Sequence, residues 1–366
     1  MTAGRHIQLL KAVYPFLKTP IIVSAPMRVF AGAELAVATY RGGGMGFIGP
    51  GVRSSNLVTK LERAKELLKA PSFAKSSSTQ TEPSHLPIGV GFQLFDGVLE
   101  DAIAYVQKYR PIAVWLFAPA NGQQDIDQWA SSIRDSSSGT QIWLQVGSVM
   151  DAVQAAKSHH APDVLVLQGS DAGGHGLKKG AGIITLLPEV ADRLHEIGKT
   201  IPLIGAGGIA DGRGVAAVLA TGVAAGAVMG TRFLASTEAD IRTEHQEDVL
   251  RVVDGGQNTV RTTLIDRLQG RNNWPDMYDG RAIVNASVHD EEDGLDFQLN
   301  KQKYEKLIQS GSNGWGDDGR LAAYAGTAVG LVKKVTSAQE IVKNARAEAM
   351  TALQEAVAGL TSTDGR

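Results

Sequence analysis

His175 closes a run of small and polar residues, Gln168-Gly169-Ser170-Asp171-Ala172-Gly173-Gly174-His175, in a chain of 366 residues with eight histidines and no cysteine. An imidazole titrates near neutrality and suits proton abstraction or hydrogen bonding to an anion. Small residues precede it, which speaks against a packed core histidine. No carboxylate or second histidine stands at i+3 or i+4, so neither a metal ligand nor any metal site is expected. The sequence therefore offers His175 as a catalytic or substrate-orienting residue, the alternative being a loop histidine that only packs. Gln168 ends an apolar run, and its amide needs partners: the edge of a heteroaromatic ring, or an internal backbone hydrogen bond.

Two glycine clusters follow, Gly205-Ala206-Gly207-Gly208-Ile209 and Met229-Gly230-Thr231-Arg232-Phe233. Gly207 and Gly208 would let a main chain approach phosphate oxygens, and Gly230 and Thr231 would add N–H donors and a hydroxyl. Tight turns alone are the plainer alternative. Two clusters in succession favour phosphate. The other histidines are isolated or sit in polar stretches, as His159-His160 does before Ala161-Pro162.

These residues need a scaffold, and the hydropathy pattern supplies one. Short runs rich in Val, Ile and Leu, bounded by Gly or Pro, fall at residues 21–24, 45–48, 88–92, 112–117, 142–146, 164–168, 203–206 and 226–229. Such runs fit strands buried on both faces of a parallel sheet. Amphipathic helical patterns lie between most of them, at 32–40, 55–68, 99–108, 149–157 and 188–197. Asp211 is a suitable N-cap for a helix over 212–220. This alternation predicts an α/β fold, a (β/α)8 TIM barrel. A doubly wound sheet would carry a Gly-x-Gly-x-x-Gly turn after its first strand, where this chain has Ser24-Ala25-Pro26-Met27. In such a barrel the chemistry sits at the C-terminal strand ends, here Ala25-Pro26-Met27, Gly91-Phe92-Gln93, 168–176, 205–209 and 229–233.

The alternation stops after the eighth run. Residues 237–320 are expected to form an appended, mostly helical lid or subdomain, with helices at 241–253 and 299–309. Residues 1–236 with 321–366 then make up the barrel and its closing helices, including packed helices at 321–332 and 337–358. The serine run at 76–78 reads as part of a surface loop.

Composition excludes several classes. Without cysteine there can be no disulfide, thiolate nucleophile or iron–sulfur cluster. A net charge of -2 leaves no electrostatic footprint for nucleic acid. No apolar stretch reaches the length of a membrane span, and no targeting signal is visible, so a cytoplasmic location is expected. The 42 glycines cluster after apolar runs, where a backbone approaches something closely.

Taken together, residues 20–49, 164–176, 201–235 and 324–342 resemble the nitronate monooxygenase family, FMN-dependent barrels once called 2-nitropropane dioxygenases. Related barrels include enoyl-thioester and quinone reductases. The most specific matches are Gln168-Gly-Ser-Asp-Ala-Gly-Gly-His175 and Ala206-Gly-Gly-Ile-Ala-Asp-Gly-Arg213 followed by Met229-Gly-Thr-Arg-Phe233. The resemblance implies an FMN cofactor, with Ala25, Pro26 and Met27 along the flavin. It also implies that Gln168 and Gly173, with the adjoining Gly174, lie near the ring or ribityl oxygens. Gly207, Gly208, Met229, Gly230 and Thr231 would cradle the phosphate, and His175 would be the base or substrate-orienting residue. The chain departs from the family in two places. Gln93 stands near where many members carry Asn, and Asp171 where Glu is usual. The implied activity is oxidation of alkyl nitronates, or nitroalkanes, by O2 to a carbonyl compound and nitrite. An NAD(P)H-dependent quinone or enoyl-thioester reductase is the nearer alternative; a non-catalytic barrel binding a phosphorylated ligand is the more distant one.

Overall fold

The computed structural model describes residues 2–51, 54–69, 85–310, 314–316 and 318–361. The serine run at 76–78 lies outside them. Strands β1 (Ile21–Ser24), β2 (Met45–Ile48), β3 (Leu86–Gln93), β4 (Pro111–Phe117), β5 (Gln141–Val146) and β6 (Val164–Gln168) follow in order. After β6 comes an excursion, β7 (Gly174–Leu177), and then β8 (Leu203–Ala206) and β9 (Ala224–Met229). The first six strands with β8 and β9 close a parallel barrel, β9 pairing back onto β1 with Ser24 opposite Met229. This is the expected (β/α)8 barrel.

Alternation of side chains across the strands builds two cores. Ile21, Val23, Met45, Phe47, Trp115 and Trp143 fill the barrel interior. Trp115 and Trp143 stack at 6.1 Å, and the Phe47 ring packs against both. A Cβ on Gly89 would overlap the Phe47 ring, so glycine in β3 makes room for that aromatic layer. The N-terminal helix Ala3–Val13 lies beneath, and Trp143 Nε1 donates to the hydroxyl of Tyr14 at 2.8 Å. Outward-facing Ile22, Ile48, Val90 and Leu165 meet the surrounding helices. Helix Gly212–Ala220 starts as its sequence predicts, with the Asp211 carboxylate accepting from the N–H groups of Arg213 and Gly214. The C-terminal helix Ala338–Thr361 packs on that helix and on Ala33–Arg41.

The mostly helical segment after the barrel also carries a small sheet, and one expected helix is shorter. The segment around His175 is a strand: β7 pairs antiparallel with β11 (Tyr278–Ile283), which pairs in turn with β10 (Thr259–Thr262). Residues 237–320 therefore combine helices, such as Thr243–Arg251 and Phe297–Ser310, with two strands of a second sheet. The helix expected over 321–332 shrinks to a 3-10 helix, Thr327–Leu331. The N–H groups at its start are tied to the barrel side: Gly326 donates to Thr231 Oγ1 and Thr327 to the carbonyl of Asp171. No helix among the described residues is long and apolar enough to cross a membrane.

Candidate active site

A cavity of about 340 Å³ opens at the C-terminal ends of the barrel strands, within the usual size range of ligand pockets. Ala25, Pro26 and Met27 line it after β1, and Gln93 at the end of β3. Gln168, Gly173, Gly174 and His175 follow from β6 and β7, and Gly230 and Thr231 from the turn after β9. Nine predicted cofactor-contact positions and the predicted base thus share one cavity. Gly207, Gly208 and Met229 do not line it. Met229 is fully buried, and Gly207 and Gly208 turn against the loop after β6 with φ of +103° and +72°. A Cβ on Gly207 would come within 2.8 Å of the Gly169 carbonyl, and one on Gly208 within 2.9 Å of Asp171 Cβ. For these two glycines the packing of neighbouring loops requires the missing side chain.

Gly174 and Gly230 behave differently. A Cβ on Gly174 (φ +70°) would meet nothing within 4 Å, and one on Gly230 would have only Ala25 Cβ, at 3.8 Å. Both glycines leave open floor in the cavity. The side chains of Gln93, Gln145 and Gln168 add amides to its wall. Gln145 Oε1 accepts from Trp115 Nε1 at 2.9 Å. Gln168 Nε2 donates to the backbone carbonyl of His175 at 3.0 Å. The internal backbone bond is thus the partner found for the donor of Gln168, and it ties β7 to the barrel. Open glycine floor beside amides and aromatic rings fits a planar heteroaromatic ring with a polar edge, as in a flavin.

His175 is held on several sides. Its Nε2 lies 2.8 Å from Asp266 Oδ2, and the two side chains are only 11% and 7% exposed. Trp274 stacks on the imidazole. The Tyr324 hydroxyl donates to Asp266 Oδ1 at 3.3 Å. Burial pushes the Tyr324 phenol up, and the Asp266 carboxylate beside it adds to the shift. The phenol stays protonated and acts as a donor. Residues 237–320 also bring Gln269 and Arg271 to the cavity.

Asp266, Trp274 and Tyr324 escape sequence reasoning because none stands in a motif with His175. Asp266 carries one usable signal. It interrupts the apolar run Leu264-Ile265-Asp266-Arg267-Leu268, and a carboxylate buried in a short helix needs a partner. Among the described residues no group of three or more His, Cys, Asp or Glu is arranged to hold a metal.

The (β/α)8 fold and this cavity, together with the family match, make the chain a flavin-dependent oxidoreductase. The family model for nitronate monooxygenase matches residues 11–348, and the chain belongs to that family. It is 48% identical over 354 residues to the nitronate monooxygenase npaC of Metarhizium robertsii, covering 96% of this chain and 97% of the relative. It is 37% identical to a nitronate monooxygenase of Neurospora crassa, covering 95% and 94%. Among solved structures, FabK from Thermotoga maritima superposes with a TM-score of 0.70 at 21% identity, covering 97% of this chain and 98% of that one. A nitroalkane oxidase from Streptomyces ansochromogenes gives 0.69 at 21%, covering 94% and 99%. Those two likenesses concern the fold.

Proposed function

We propose that the protein binds FMN and oxidises alkyl nitronates with O2 to a carbonyl compound and nitrite, with His175 as the base or substrate-orienting residue. The observation that carries this reading is that His175 lines the same cavity as the open glycine floor at Gly174 and Gly230. Ala25, Pro26 and Met27 would lie along the flavin, Gln93 and Gln168 at its polar edge, and Gly230 and Thr231 toward its phosphate. Thr231 Oγ1 accepts from the Gly326 N–H, which leaves its own proton available to an anion. The bound flavin supplies the electron acceptor and the dioxygen chemistry. The protein's part is to hold the substrate and move one proton. A neutral imidazole can take the α-proton of a nitroalkane, and an imidazolium can hold the nitro oxygens of a nitronate.

Residues 1–236 with 321–366 would form the flavin-binding barrel, and residues 237–320 the substrate-facing subdomain. Gln269, Arg271 and Trp274 reach the cavity from the latter, which supports that division. The test is the visible spectrum of the purified protein, followed anaerobically by ethylnitronate and then NADPH. The expected result is a flavin spectrum reduced by the nitronate. A flavin that responds only to NADPH identifies a reductase instead, and protein that stays colourless after added FMN refutes the cofactor.

A further inference from the structure

We infer that Asp266 is the positioning residue for His175: it holds the imidazole proton on Nε2 and leaves Nδ1 as the nitrogen that receives the substrate proton. This rests on the reading of His175 as the base. A carboxylate only accepts hydrogen bonds, so the 2.8 Å contact from Nε2 to Asp266 Oδ2 places the N–H on Nε2 of the neutral ring. Nδ1 has no hydrogen-bond partner among the described residues, and His175 lines the cavity. The step then balances simply. The Cα–H bond of a nitroalkane breaks, an N–H bond forms at Nδ1, and the electron pair moves onto the nitro group to give the nitronate.

The carboxylate is itself held in place. The Tyr324 hydroxyl occupies its second oxygen, Oδ1, at 3.3 Å. Leu264 and Leu268 of the same short helix are buried against Val288 and Tyr304, which anchors the backbone that carries it. Across β11, His175 lies opposite Gly280, where a Cβ would sit 3.4 Å from Nε2 and 3.6 Å from Cε1. That edge of the ring is thus walled in, while Trp274 covers one face. Outer partners of this kind fix tautomer and orientation, and their removal commonly costs 10–100-fold in function where this has been measured at metal sites. The comparable Asp in a Ser-His-Asp triad shows how severe a wrong tautomer can be.

The test uses the full-length flavin-loaded protein with 15N-labelled histidine. In the wild type, the nitrogen spectra should assign the neutral His175 proton to Nε2. Asp266→Asn should retain flavin and lose the single Nε2–H form. It should also lower kcat/KM on neutral nitroethane by about 10–100-fold, while ethylnitronate, already deprotonated, changes less than about 3-fold. Asp266→Glu, which keeps a carboxylate, should recover part of the nitroethane loss. A wild-type proton on Nδ1 overturns the inference. So does an Asp266→Asn variant whose two substrates fall in proportion, or one that keeps full nitroethane turnover. The wild-type spectra need neither the variant to fold nor the nitronate reading to hold, so the two can fail separately.

Discussion

Trp274 lies flat on His175, with ring centroids 3.7 Å apart and planes 4° from parallel. The indole comes from the segment between β10 and β11 and the imidazole from β7, so the stack joins two distant stretches of chain at the cavity. An aromatic pair of this kind contributes about 0.5–1.5 kcal/mol beyond its buried area. Trp274→Ala should therefore lower kcat/KM on nitronates by roughly 2–10-fold with flavin still bound, and Trp274→Phe should lose less. Steady-state kinetics of the two variants check this, and equal activity in all three proteins would remove the stack from the account.

The two kinds of glycine should respond in opposite ways. Gly230→Val puts a branched side chain into open cavity floor, so it should lower flavin content at least about 10-fold and leave the melting of the apoprotein nearly unchanged. Gly208→Ala forces a Cβ to within 2.9 Å of Asp171 Cβ at φ +72°. It should cost about 1–3 kcal/mol of stability in denaturant melts, with flavin binding retained at saturation. Flavin absorbance and unfolding midpoints, measured on both variants, separate a ligand-facing glycine from a packing one.

His175→Asn should keep bound flavin and lose most turnover on neutral nitroalkanes. The substitution leaves an amide able to donate a hydrogen bond but no base. Turnover of nitroethane at the wild-type rate would rule out proton transfer by this residue.

The eight staves can be read from sequence because parallel strands covered on both faces are near-continuous apolar runs, as in Val164–Gln168. The Asp211 cap can be read because its partners lie two and three residues away. The sheet that holds His175 cannot. Gly174-His175-Gly176-Leu177 has no strand-like alternation, and its partner lies about a hundred positions downstream. Asp266 is 91 residues from the imidazole it touches, a distance no spacing rule spans. Gly207 and Gly208 look the same as Gly230 in a string of letters; only the neighbouring loop shows that their missing side chains make room for protein.

A buried histidine elsewhere should set the response to acid. His245 packs beside Phe30, a cavity residue, and its Nε2 has no hydrogen-bond partner among the described residues. Burial pushes its imidazole down from 6.5 to about 4, and the Asp248 carboxylate offsets this only in part. Above pH 6.5 neither the folded nor the unfolded chain carries this proton. Between 6.5 and 4 the unfolded chain binds it and the folded one does not, so stability falls by up to about 3 kcal/mol. Below about 4 both states bind it and this loss stops growing. His245→Phe should flatten that part of the stability curve in chemical denaturation between pH 7 and 4, and an unchanged slope would assign the acid sensitivity elsewhere.

The pairing of β7 with β11 has a consequence for how the enzyme comes into being. A nascent chain released from the ribosome as far as Met229 already has every stave of the cylinder. The strand bearing its imidazole would still lack a mate, and the carboxylate that hydrogen-bonds to the ring would not yet have been synthesised. Translation therefore completes the ring of strands before the cavity wall, whose last members, Ala322 and Tyr324, emerge only shortly before the helix Ala338–Thr361 that packs against the barrel.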